Sequence, residues 1–111
     1  MKSAERIKTL NDEFRANLRT GGGRILITAG VRAKLGVERI GAIIHAVSVF
    51  DDFTEDNDPH GEHDFGAFEV DGHKLFFKLD YYDKAMKFGS PDPANPDVTT
   101  RVITVMLPED Y

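Results

Sequence analysis

The stretch from Asp51 to Asp64 reads Asp-Asp-Phe-Thr-Glu-Asp-Asn-Asp-Pro-His-Gly-Glu-His-Asp. Asp51, Asp52, Glu55, Asp56, Asp58, Glu62 and Asp64 carry negative charge, His60 and His63 sit among them, and no lysine or arginine intervenes. Carboxylates this dense repel one another unless a cation, a basic partner or mobile ions compensate them. Three chemistries follow from these residue types: holding a metal ion, moving a proton, or facing a partner of opposite charge.

Hard cations take several oxygen ligands, which carboxylates on a turning loop supply. Asp56-Asn57-Asp58-Pro59-His60-Gly61 imitates the opening of a calcium loop. His60, however, holds a position that wants Asp or Asn, Ala67 stands where a bidentate glutamate belongs, and Pro59 stiffens the turn, so an EF-hand is excluded. A transition metal fits better. His60, Glu62, His63 and Asp64 are closely spaced imidazole and carboxylate ligands of the kind Zn²⁺, Mn²⁺ and Fe²⁺ accept, although the spacing is not that of a His-Glu-x-x-His helix. For proton transfer, His63 beside Glu62 or Asp64 has the composition of a general base with an orienting carboxylate. No nucleophile accompanies it: cysteine is absent, and Ser48 and Ser90 lie in no nucleophile-elbow context. Gly21-Gly22-Gly23-Arg24 lacks the Lys-Ser/Thr pair of a phosphate-binding loop. As an interaction surface, the acids flanked by Phe50, Phe53 and Phe65 suit a basic protein or mimic the phosphates of nucleic acid. The plainest alternative is a solvated connector whose histidines bond backbone carbonyls. In that case His63→Ala is expected to lower stability by ~1–3 kcal/mol through unsatisfied buried groups.

These residues must be positioned by the elements on either side. Ser3–Arg19 has an amphipathic helical pattern, with Ile7, Leu10, Phe14 and Leu18 at helical spacing, Ser3 as a cap and Gly21-Gly22-Gly23 as a terminator. Arg24–Thr28 predicts a short buried strand, and Ala29–Gly36 a single turn or short helix capped by Thr28 and closed by Gly36. Ile40–Phe50, apolar and β-branched, predicts a central strand with His45 as a core or edge histidine. Phe65–Val70 and His73–Tyr82 flank Asp71-Gly72, the signature of a type I′ hairpin, with His73 expected at the surface. Leu75, Phe77, Leu79 and Tyr81 then share one face and Lys74, Phe76, Lys78, Asp80 and Tyr82 the other. Asp83–Asp97 contains three prolines and predicts a loop; Val98–Leu107 predicts the last strand, ended by Pro108. The fold class expected is α+β, an N-terminal helix packed on a mostly antiparallel sheet of four to five strands. If the 73–82 strand passes the acidic run, Asp80 or Asp83 completes a metal set or Tyr82 bonds a carboxylate, and Arg101 neutralises an acid across the sheet.

The 111 residues suit a single domain, and 41% hydrophobic content suffices for one core. A net charge of −5 and the lack of a basic run argue against direct nucleic-acid binding. The first 39 residues are mildly basic (Lys2, Arg6, Lys8, Arg15, Arg19, Arg24, Arg32, Lys34, Arg39) and the middle is acidic, a polarity that suits homo-oligomers or a basic partner. Without cysteine there are no disulfides and no thiolate metal sites. No apolar stretch is long enough to span a membrane, and Met1–Arg6 lacks the apolar core of a signal peptide, so a cytoplasmic protein is expected.

The string Asp56-Asn57-Asp58-Pro59-His60-Gly61-Glu62-His63-Asp64-Phe65-Gly66 is followed by Lys78-Leu79-Asp80-Tyr81-Tyr82-Asp83, Ser90-Pro91-Asp92-Pro93 and Thr100–Leu107. Together they resemble an uncharacterised bacterial domain family of unknown function, small stand-alone proteins of plasmids and other mobile elements. Arg6-Ile7, Leu10-Asn11-Asp12, Phe14-Arg15, Thr28 and Gly30-Val31 fit it too. The resemblance implies no activity and no catalytic residues. Its habitat implies an inhibitor or accessory factor acting on a host nucleic-acid-handling or defence system, in the manner of anti-CRISPR or anti-restriction proteins. The leading expectation is a binding protein whose surface is Asp51, Asp52, Glu55, Asp56, Asp58, Glu62 and Asp64, with charge reversal at Asp56, Asp58 and Glu62 abolishing partner binding without unfolding. The alternative is a divalent-metal-binding domain or metal-dependent hydrolase using His60, Glu62, His63 and Asp64.

Overall fold

A computed structural model describes residues 3–18 and 24–111 of the chain. In chain order its elements are α1 (Ser3–Ala16), β1 (Arg24–Ile27), α2 (Ala29–Leu35), α3 (Ile40–Val49), β2 (Phe65–Val70), β3 (His73–Tyr82) and β4 (Thr100–Met106), with 3₁₀ turns at Val37–Arg39, Pro96–Val98 and Pro108–Asp110. The class is α+β. The glycine run expected to terminate α1 lies outside the described residues.

The strands form one sheet in the order β1-β4-β3-β2. β3 pairs antiparallel with both β2 and β4, whereas β1 runs parallel to β4, with Ile25 opposite Ile103 and Ile27 opposite Val105. The sheet is therefore mixed. The β2–β3 turn places both Asp71 (φ 54°) and Gly72 (φ 80°) in the left-handed region, as a type I′ turn requires. Arg39 donates to the Asp71 carboxylate and ties the hairpin tip to the start of α3.

Ile40–Val49 is a helix, not the central strand its β-branched content predicts. Ile43 and Val47 are buried and Ile40 and Ile44 half-buried, a 3.6-residue stripe, while Gly41, Ala42, His45 and Val49 face outward. His45 is accordingly an exposed helix residue. Tertiary packing overrides the local β preference because the stripe has a sheet to lie on. Thr28 caps α2 and Gly36 (φ 85°) closes it, as expected, but β1 is an edge strand with Arg24 and Leu26 exposed, not the buried strand its apolar residues predict.

One sheet face carries the core. Leu75, Phe77, Leu79, Ile103 and Val105 meet Val31 and Leu35 of α2 and Ile43 and Val47 of α3, with Phe14, Phe50 and Phe53 packed at the margin. Gly66 is what lets two rings close there. A Cβ at this position would lie 2.4 Å from Phe77 and 2.6 Å from Phe50.

Candidate functional site

The acidic loop leaves α3 at Phe50 and enters β2 at Phe65. Its turns are made by its own side chains. Asn57 accepts from the Thr54 amide (2.9 Å) and donates to the Asp52 carbonyl (3.2 Å), and the Asp58 amide donates to the Thr54 carbonyl (2.8 Å). Gly61 (φ 68°) and His63 (φ 55°) then bend the chain so that one Asp58 oxygen accepts from the amides of both Glu62 (3.0 Å) and His63 (3.1 Å). Asp58 is only 8% exposed, a buried carboxylate that organises the loop.

His63 is fixed from three directions. Its Nδ1 lies 2.8 Å from an Asp12 oxygen, its Nε2 lies 3.7 Å from Asp58, and its ring stacks on Phe53 at 3.8 Å with planes 5° apart. The same Asp12 oxygen accepts from Arg15 (2.9 Å). Arg15, 4% exposed, also donates to the Val47 (2.9 Å) and Phe50 (2.8 Å) carbonyls at the end of α3 and lies over the rings of Phe53 and Phe77. A cation suits that position, because the last carbonyls of a helix carry its negative pole.

A second bonded chain runs beside the first. Asn11, fully buried, donates to the Glu62 carbonyl (2.9 Å) and to the Tyr81 hydroxyl (2.8 Å), and accepts from Arg101 Nε (2.8 Å). The Tyr81 hydroxyl donates to Glu62 Oε1 (3.0 Å). Burial, with the nearby charges of Glu62 and Asp64, pushes the Tyr81 pKa well up, so it remains a neutral donor. Arg101 continues to the Pro93 carbonyl and lies 5.3 Å from the Tyr81 ring; burial draws its pKa down.

The expected site residues therefore separate. Asp58, Glu62 and His63 face inward and hold the loop; Asp51, Asp52, Glu55, Asp56 and His60 are exposed. Asp64 lies between. Burial first, and the charges of Glu62 and Asp58 next, raise its carboxyl above the usual range. It faces a depression of about 320 Å³ together with Asp56, Asn57 and His60. Among the described residues no group of three or more His, Asp or Glu converges to hold a metal ion. Tyr81, not Tyr82, bonds a carboxylate. Asp80 pairs with Lys78 (3.3 Å), Asp83 accepts from the Lys87 amide (3.0 Å), and Arg101 bonds the Asn11 amide oxygen in place of an acid. Charge reversal at Asp58 or Glu62 would strike the loop's supports, so those positions do not test a surface.

Asn11, Asp12, Arg15, Tyr81 and Arg101 complete the site, and periodicity alone did not single them out. A signal existed: Ile7, Asn11 and Arg15 are spaced by four, which puts two polar residues on the helix face that Ile7 buries.

The chain belongs to a family described as a protein of unknown function (DUF3768), which matches residues 27–110. The matched span contains the loop, the whole of β2, β3 and β4, and both Tyr81 and Arg101; the residues α1 contributes precede it. No curated protein and no solved structure matches the chain.

Proposed function

We propose that this chain is a binding protein that docks a basic protein surface on the outward side of its acidic loop. One observation supports the reading above the others: the loop is braced from within and its outer acids are left over. Asp58, Glu62 and His63 are used in bonds to α1, to β3 and to the loop's own backbone. Asp51, Asp52, Glu55 and Asp56 are exposed, and among the described residues no lysine or arginine pairs with them. A preformed acidic rim loses little conformational freedom on binding and steers a basic partner by long-range attraction. Within this reading the chain is an inhibitor or accessory factor of a mobile element, its acids standing in for phosphates on a host nucleic-acid-handling or defence protein.

The test is charge reversal of Asp51, Asp52, Glu55 and Asp56 to lysine, with partners captured by the tagged wild-type and variant chains. Exposed substitutions of this kind shift stability by only about 0.5 kcal/mol each, so the variant is expected to stay folded while its partner is lost. Retention of the same partner would overturn the reading.

A second reading rests on the 320 Å³ depression, where Asp56, His60 and Asp64 share a wall. A divalent-metal-binding domain or metal-dependent hydrolase would need these residues, with Glu62 or His63, to be drawn together. Chelator-stripped protein melted with Zn²⁺, Mn²⁺, Mg²⁺ or Ca²⁺ decides it. A metal-selective rise lost in His60→Ala establishes a site; no rise with any metal removes it.

A further inference from the structure

We infer that the sheet face turned away from the helices carries a groove that receives an arginine side chain of the basic partner. The inference rests on the docking role proposed for the loop and extends it to a second surface. Strand parity creates the groove. Leu79 and Tyr81 point into the core side, so Lys78, Asp80 and Tyr82 point the other way, with Thr104 opposite Lys78 on β4. Asp64, Phe65 and Tyr111 wall a volume of about 580 Å³ above them. Phe65 and Tyr111 stand edge to face, their ring centres 5.7 Å apart.

The charges in this groove do not balance. Among the described residues Lys78 is the one cation that lines it, and Lys78 is already paired with Asp80 at 3.3 Å. Asp110 is occupied by the Thr28 hydroxyl (2.9 Å) and the Leu107 amide (3.1 Å). Asp64 is different: among the described residues no other side chain bonds or pairs with its carboxylate, although it is about half-buried and its protonation is favoured by burial and by neighbouring acids. An anion would meet surplus carboxylates here, and a neutral apolar ligand would bury Asp64 unpaired. A guanidinium answers both features. It bonds a carboxylate through a planar fork and stacks against aromatic rings, which an ammonium does less well. The groove lies beside the 320 Å³ depression under the loop, since Asp64, Phe65 and Tyr111 line both. A basic segment that meets Asp56 at the rim is therefore adjacent to the sheet groove.

The experiment is an NMR titration of ¹⁵N-labelled full chain with a hexa-arginine peptide, with hexa-lysine and hexa-glutamate peptides in parallel. Hexa-arginine is expected to shift the amides of Phe65, Lys78, Tyr82 and Thr104. Affinity should fall about tenfold in Asp64→Asn and in Tyr111→Ala, the latter a change at an exposed residue that does not threaten the fold. Lys78→Ala should tighten binding severalfold, because it releases Asp80. Shifts confined to residues 51–58 would overturn the groove and leave the loop reading standing. Equal binding of hexa-lysine, or no effect of Asp64→Asn and Tyr111→Ala, would overturn the arginine site. Absence of any shift would overturn both surfaces.

Discussion

Asp58 and Asp64 lie six positions apart in one acidic run, yet they have opposite effects on the folded chain. One Asp58 oxygen accepts from two amides, and the His63 imidazole lies nearby. Asp58→Ala is expected to cost about 2–4 kcal/mol in urea unfolding, because the amides of Glu62 and His63 lose their acceptor in a partly buried site. Asp64 bonds its own amide and lies near His60, but burial and the charges of Glu62 and Asp58 outweigh both, and its folded pKa lies above the ordinary aspartate value. The folded chain thus holds that proton more tightly than the unfolded chain does. Stability falls as pH rises through the window from the ordinary value up to the raised one. Asp64→Asn removes that loss. Its melting temperature should exceed the parent's at neutral pH, and the gain should vanish below the ordinary carboxylate range. A melting series from acid to neutral pH checks the sign. None of this contrast was legible in the run itself, where the seven acids look alike. What separates them is the inward turn at Gly61 and His63, which brings the amides of Glu62 and His63 onto Asp58 and not onto Asp64. The type of residue was readable; its partner was not.

Where sequence patterning met a single buried face, the elements came out as expected: β2, β3, their turn, α2 and the loop before β4. α3 did not, because Val and Ile satisfy a strand's preferences and a helix's buried stripe equally well. Its outward residues, Gly41, Ala42 and His45, carried the helical period. α3 delivers Phe50 to the mouth of the loop, where it crosses Phe77 edge-on with ring centres 5.2 Å apart. Gly66 is the floor for that crossing. Gly66→Ala should destabilise by about 2–3 kcal/mol through overpacking, measurable as a lower urea midpoint with an unchanged slope. Phe50→Leu in the same chain should recover part of the loss, since a ring edge supplies the second-closest contact. Rescue of that kind separates crowding from a simple loss of strand propensity.

For the molecule as a whole, class and core were readable because a 41% hydrophobic chain with clear strand periods has few ways to hide its apolar faces. The parallel β1–β4 pairing and the role of α1 were not readable, since both depend on contacts far apart in the chain. α1 lies outside the family-matched span, yet it supplies Asn11, Asp12 and Arg15 to both bonded chains. Removal of residues 1–18 should therefore cost more stability than any single substitution above. It should also free the amides of Glu62 and His63 to exchange with solvent, which hydrogen exchange would register. The sheet order has a consequence in time. β1 is made early, but its only hydrogen-bonding neighbour among the described strands is β4, and β4 is also the strand that joins β1 to the β2–β3 hairpin. During synthesis the hairpin can close as soon as its turn appears, while Arg24–Ile27 must wait for Val102–Val105 to emerge. Loop closure over that span is slow compared with hairpin formation. Until it occurs, an unpaired strand and an uncovered hairpin edge coexist on the nascent chain, and that interval is when the protein is most open to aggregation or to capture by a chaperone.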